Sequence, residues 1–220
     1  AAAFRNPLDN INITDAQIMV LHGCHRGQEH DMRAYRLTPV LNDLEQVSRW
    51  RLFAQNANET YPAMLHLDTG MTRLGFDPDQ TDWLIENKQA LNGLEITYIM
   101  SHLISGEISD DPANFTQKTL FDEHRSFFGG IKASLANSGG IFLGPDFHYD
   151  LIRAGIGLYG SVEFDTADAG LQNVLSLHVP ILQIRDVKQG ETVVFGCDFV
   201  AQRDCQVAVL GSGYADGIFR

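Results

Sequence analysis

Cysteine is scarce in this 220-residue chain: Cys24, Cys197 and Cys205 are the only three. Their odd number and irregular spacing exclude a closed disulfide framework and zinc-finger pairing, and point to free thiols in a reducing compartment. Basic side chains are also few, 16 Lys and Arg against 28 Asp and Glu, giving a formal net charge of −12. With no basic run to offset that charge, nucleic acid and anionic membranes are excluded as partners. No apolar run is long enough to span a bilayer and no signal-peptide pattern is visible, so a cytoplasmic location is expected. Internal repeats, low-complexity tracts and metal-ligand spacings are missing too, and no metal is expected. What is present is an ordinary globular composition, 44% hydrophobic and 20% charged. A chain of this length buries a good core, as one large domain or two small ones.

The chain begins Ala-Ala-Ala-Phe without an initiator methionine and stops just after Gly-Tyr-Ala-Asp-Gly, so both ends read as those of an interior piece of a longer polypeptide. Ile18 to Leu21 read as a short strand. Val40, Leu44, Val47, Trp50 (or Arg51) and Ala54 recur at three- and four-residue steps and predict an amphipathic helix over 40–57. A strand over 63–67 follows. Asp77-Pro78 opens a helix over 79–91 with Trp83 and Leu84 inward, and Pro112 opens a long helix to 128 ended by Gly129-Gly130. Residues 96–100, 133–136 and 149–152 read as further strands. This strand–helix alternation is the signature of parallel α/β units. Arg73, His102, Ser138 and Arg153 stand just past strand ends, which converge on one face of a barrel or gather in the crevice of an open sheet. After Gly170 the helix periodicity disappears, and 175–184, 191–195, 199–201 and 206–210 read as strands. We expect an α/β domain over 1–170 and the start of a mainly-β domain over 171–220.

Three stretches carry chemistry. In 65–76, Leu-His-Leu-Asp-Thr-Gly-Met-Thr-Arg-Leu-Gly-Phe, an apolar strand runs into a polar turn that delivers Arg73. A barrel enzyme presents a cation to an anionic substrate in this way, and the planar fork of arginine suits a carboxylate or phenolate. Residues 153–160, Arg-Ala-Gly-Ile-Gly-Leu-Tyr-Gly, match G-x-G-x-x-G by letter, but no helix pattern opens there, so the dinucleotide reading is rejected. A loop whose bare N–H groups cradle a phosphate fits better. Ser138 in Asn137-Ser138 is either an anion ligand or a helix N-cap.

These stretches resemble alanine racemases: Asp68-Thr69-Gly70-Met71-Thr72-Arg73-Leu74-Gly75 resembles the family's DTGMxRLG segment, and 153–160 its RPGIxLYG segment with Ala154 in place of proline. The resemblance covers nearly the whole chain, in the family's order. It implies a (β/α)8 TIM-type barrel, here partial, and pyridoxal 5'-phosphate (PLP) as cofactor. It also implies a homodimer interconverting L- and D-alanine to supply D-alanine for peptidoglycan. On that resemblance Arg73 grips the substrate carboxylate and the cofactor phenolate, and His102 lies near the cofactor ring. The Ser138 hydroxyl, Gly155 and Ile156 meet the phosphate, and Asn137 binds the cofactor as the other half of the Asn-Ser pair. Arg153 faces the pyridine nitrogen, which it leaves unprotonated because it does not readily release a proton. Tyr214 lines the substrate corridor from the partner subunit.

The chain departs from the family at four positions. The lysine that holds the cofactor belongs to an Ala-Val-x-Lys segment without a counterpart here; Lys88, Lys118, Lys132 and Lys188 lie in other contexts, so the lysine is expected upstream of Ala1. In Thr192-Val193-Val194-Phe195-Gly196, Phe195 occupies the position of the catalytic tyrosine and cannot act as a base. His66 replaces a lysine that orients the arginine, and is expected to do so by a neutral hydrogen bond. Ser134 replaces a histidine beside Arg153. The alternatives to alanine racemisation are a racemase of another amino acid, a decarboxylase-like barrel enzyme, or a catalytically impaired PLP-binding homologue.

Overall fold

The structure, a computed structural model, describes residues 16–161, 170–193 and 199–218. The chain divides into two compact units, Ala1–Asn173 and Val174–Arg220. In the first, strands β1 (Ile18–Val20), β2 (Leu37–Leu41), β3 (Tyr61–His66), β4 (Leu94–Met100) and β5 (Lys132–Ser134) pair in parallel in sequence order. Helices α1 (Glu29–Ala34), α2 (Leu44–Ala57), α3 (Pro78–Glu86) and α4 (Pro112–Ser126) connect them. A doubly wound sheet reverses its strand order at a switch point. Here the order never reverses, and the sheet curls into a half-barrel, part of a (β/α)8 barrel.

The helix starts follow from the sequence. Asp43, Asp77 and Asp111 each cap a helix by accepting a backbone N–H, from Gln46, Gln80 and Ala113 at 2.7–2.8 Å. Pro78 and Pro112 occupy first-turn positions, where the missing N–H costs nothing. The helices cover the outer face of the sheet with Trp50, Leu84 and Phe121, packed against Leu41, Leu65, Ile99 and Ala133. Burying each such large side chain contributes about 1.5–3 kcal/mol. The inner face carries Val40, Met64 and Met100, with Met19 and Tyr98 against them. His66, Met100 and Ser134 lie side by side in register, so the last inner layer turns polar where the strands end.

Several elements differ from expectation. Val40 lies in β2, not in a helix, and its neighbour Pro39 is in register with Val20 of β1. Trp83 is 44% exposed, and Leu84 alone of that pair faces inward. The helix over 79–91 is α3 followed by a separate 3-10 turn, Lys88–Leu91. No strand forms over 149–152. Tyr149 takes a left-handed conformation (φ 49°), and the backbone bonds from the segment to β5 and its extension are two separate ones, Asp150 N–H to Ala133 O and Arg153 N–H to Ala136 O, too few to make a strand ladder.

In the second unit β6 (Ile181–Val187) pairs antiparallel with β9 (Cys205–Leu210), and β7 (Thr192–Val193) with β8 (Phe199–Val200). Residues 175–180, expected as strand, have no strand partner among the described residues. Phe195 and Cys197 lie outside the described residues. No helix among the described residues is long and apolar enough to cross a membrane.

Candidate active site

The turn after β3 is locked by its own aspartate. Asp68 Oδ1 accepts N–H groups from Gly70 (2.9 Å), Met71 (2.9 Å) and Thr72 (3.2 Å), and Oδ2 accepts Thr72 again at 3.0 Å. The chain then returns: Phe76 N–H donates to His66 O (2.7 Å) and Asp68 N–H to Phe76 O (3.0 Å). That close return explains Gly75, which has φ 112° and whose Cβ would sit 2.9 Å from both Asp68 N and His66 O. Gly75→Ala is expected to destabilise the full-length protein by about 2–4 kcal/mol, read as a fall in urea midpoint at unchanged slope.

Arg73 emerges exposed from this closed turn, with Nη2 3.5 Å from His102 Nδ1. A guanidinium only donates, so Nδ1 accepts and the His102 proton sits on Nε2. Burial, then the charges of Arg153 and Arg73, push the His102 pKa down to about 4. His66 does not take Arg73 as its recorded partner. Its Nδ1 lies 2.8 Å from Asn42 Oδ1, while Asn42 Nδ2 donates to Leu21 O (3.1 Å) and Val40 O (2.8 Å). The amide orientation is thereby fixed, so His66 Nδ1 carries the hydrogen and Nε2 keeps its lone pair. Burial, then Arg153, holds His66 down to about 4 as well.

An unfolded histidine titrates near pH 6.5. Between about 6.5 and 4 the unfolded chain therefore binds protons that the folded chain refuses. Stability is expected to fall as pH drops through that window and to owe nothing to these groups above it. Urea midpoints of the full-length protein across the window check this, and His66→Gln should flatten the slope.

Arg153 is fixed by three acceptors: Nη1 donates to Ser134 Oγ (2.5 Å), and Nη2 to Ser101 O (2.6 Å) and Leu135 O (3.1 Å). Ser134 in turn donates to Leu151 O at 2.7 Å. Burial, then Arg73, lowers the Arg153 pKa to about 10, which leaves it charged at neutral pH. Ser138 is not a helix cap. Its Oγ accepts Gly155 N–H (2.8 Å) and Gly157 N–H (3.1 Å), which fills both lone pairs and leaves its own hydrogen to donate. Ile156 opens a 3-10 turn (Ile156–Tyr159) that gives its N–H no internal acceptor. The turn ends at Gly160, φ 76°, where any Cβ would overlap the backbone of Gln172. Asn137 bridges backbone, accepting Gly140 N–H (2.9 Å) and donating to Leu103 O (3.3 Å).

These groups meet at one cavity of about 440 Å³ lined by His102, Glu107, Asn137, Ser138, Arg153 and Gly155 among others, including Ile156. A larger space of about 600 Å³ runs along β1 and contains none of the candidate residues. Tyr214 belongs to the second unit, in the 3-10 turn Tyr214–Asp216. Residues 8–163 match the family model "Alanine racemase, N-terminal domain" and 174–220 match "Alanine racemase, C-terminal domain". An alanine racemase of Acidiphilium cryptum is 44% identical over 205 residues, 93% of this chain and 57% of that protein. One of Rickettsia bellii is 38% identical, over 94% of this chain and 50% of its own length.

The chain belongs to the alanine racemase family.

Solved relatives agree. Alanine racemase from Bartonella henselae, with covalently bound pyridoxal phosphate, has a TM-score of 0.81 at 32% identity, over 99% of this chain and 60% of its own. The biosynthetic alanine racemase of Pseudomonas aeruginosa gives 0.76 at 29%, over 94% and 58%. The chain thus spans about half the length of the curated alanine racemases it matches. Among the described residues none of its four lysines lines the cavity.

Sequence reasoning missed Asn42, Ser101, Thr69 and Gln117. All four are buried, and they hold the segments around His66, Arg73, His102 and Arg153. For Gln117 a signal exists: Asn114, Gln117 and Phe121 fall on one buried face of α4, so two polar side chains occupy core positions.

Proposed function

We propose that this chain supplies the cofactor- and substrate-holding face of an alanine racemase, a PLP-dependent isomerase that makes D-alanine for cell-wall synthesis. The observation that carries the reading is the convergence of Ser138, Arg153 and His102 on one cavity, with Arg73 beside His102. The donor set fits PLP. The Ser138 hydroxyl and the Ile156 N–H would hold the phosphate, Arg153 the ring nitrogen, and Arg73 the phenolate oxygen together with the substrate carboxylate. Bound there, PLP would draw electron density from the α-carbon of alanine and acidify its proton.

The chain's own residues orient and hold charge. Asp68 fixes the turn from which Arg73 reaches out, and Ser134 with two backbone carbonyls fixes Arg153. Arg153 at neutral pH is a donor and not an acid. His102, neutral with its proton on Nε2, adds a donor without adding charge beside two arginines. A homodimer in the cytoplasm is part of this proposal. The free thiols of Cys24 and Cys205 and the absence of a basic surface run are in keeping with it.

Phe195 favours a second reading, a homologue that binds PLP and alanine but moves the α-proton on one face only. The full-length protein, loaded with PLP and given L-alanine, separates the two. D-alanine formation supports racemisation, and cofactor absorbance without turnover supports the impaired homologue. If Phe195→Tyr also forms no D-alanine, the racemase reading fails.

A further inference from the structure

A buried polar network joins the turn after β3 that carries Arg73, the end of β4 that carries His102, and Arg153, and its hub comes from a helix. Gln117 of α4 is 2% exposed. Its Nε2 donates to His102 O (2.9 Å) and Thr69 Oγ1 (3.3 Å), and its Oε1 accepts Ile104 N–H (2.9 Å). Thr69 Oγ1 lies 2.6 Å from Ser101 Oγ, and Ser101 O accepts from Arg153. One amide thus binds the turn after β3 and, on both sides of Leu103, the loop after β4.

Arg73 and His102 have little else to set their distance. Asp68 closes the 68–76 turn on itself, so the turn moves as a unit. Among the described residues the Arg73 guanidinium has one recorded polar contact, His102 Nδ1. Its place therefore follows from where the two loops sit relative to each other. Leu67 N–H to Met100 O fixes the base of the turn, and the Thr69–Ser101–Gln117 group fixes the rest.

We propose that Gln117 is a positioning residue that sets the Arg73–His102 pair for the substrate carboxylate. The proposal rests on the reading of Arg73 as the carboxylate clamp. A glutamine that only filled the core would be replaceable by any side chain of its size. One that positions the pair must keep two donors and one acceptor in place. Small displacements at such a clamp have large consequences for rate.

The test uses the full-length protein with PLP, and propionate as a carboxylate probe that lacks the amine. Gln117→Glu keeps the shape and sets an acceptor oxygen against His102 O and Thr69. Propionate affinity is expected to weaken about tenfold or more and KM for alanine to rise, with PLP affinity unchanged. The 15N shifts of His102 should move as well. Wild-type propionate affinity and wild-type His102 shifts in this variant would overturn the proposal. So would a parallel loss of PLP affinity, which would mark general damage. If Gln117→Glu does not fold, Thr69→Val removes the bridging hydroxyl at constant shape and carries the same expectation. Arg73→Lys is the control for the underlying reading. Unchanged propionate binding in that variant would show that Arg73 is not the clamp, whatever Gln117 does.

Discussion

Phe195→Tyr is expected to raise D-alanine formation by the full-length protein with PLP by about 10²–10⁴-fold, the usual contribution of a positioned acid–base group. Phenylalanine has no titratable proton, whereas on the proposed reading a tyrosine at this position would serve one face of the α-carbon. The flanking Val193 and Gly196, and the later Gly213-Tyr214-Ala215-Asp216-Gly217, resemble the family's segments in order and support that reading. The substitution adds one hydroxyl to an aromatic ring of the same size, so folding should be little affected. A coupled assay of D-alanine from L-alanine reads the effect. No increase over a wild-type protein that already forms D-alanine would mean that another group serves that face.

Arg73→Ala is expected to lower kcat/KM for alanine by about 10²–10³-fold, the loss that follows removal of a charged donor aimed at the reacting substrate. Arg73 is exposed and its turn is closed by Asp68 without help from its guanidinium, so the variant should fold. On the proposed reading the phosphate is held elsewhere, by Ser138 and Ile156, so PLP affinity should change far less than the kinetic constants. Steady-state kinetics and a PLP titration on the same preparation check both halves. Equal losses in the two would place Arg73 in cofactor binding alone. Arg73→Lys should recover only part of the activity, because a point charge lacks the planar fork.

The parts of the fold legible in the sequence were those fixed by local chemistry. Asp77-Pro78 and Asp111-Pro112 announce helix starts because the cap and the proline act within one turn. β2 was not legible, since a proline inside an apolar run argues against a strand. Only its parallel neighbours, β1 and β3, make one of Leu37–Leu41. The segment before Arg153 misled in the opposite way. Its apolar letters suit a strand, but Tyr149 at φ 49° breaks the pattern and leaves isolated hydrogen bonds to β5 and the residues after it.

The candidate site divides along the same line. Arg73, His102, Ser138 and Arg153 stand out because they sit in distinctive motifs, the first three of them just past β3, β4 and β5. Asn42 and Gln117 act through tertiary hydrogen bonds over 24 and 15 residues, to His66 and to His102 O. No local pattern encodes such partners. The expected bond from His66 to Arg73 is not made: Asn42 Oδ1, from the end of another strand, takes the Nδ1 hydrogen, and the Arg73 guanidinium reaches His102 instead of the remaining lone pair on Nε2.

The most direct test is α-hydrogen exchange in deuterated water by the full-length protein with PLP, measured separately on L- and D-alanine. The account predicts exchange from D-alanine, the enantiomer the cofactor-holding lysine is expected to serve, well ahead of exchange from L-alanine, whose face would need a base at Phe195. Exchange from neither enantiomer, with PLP bound, would contradict it.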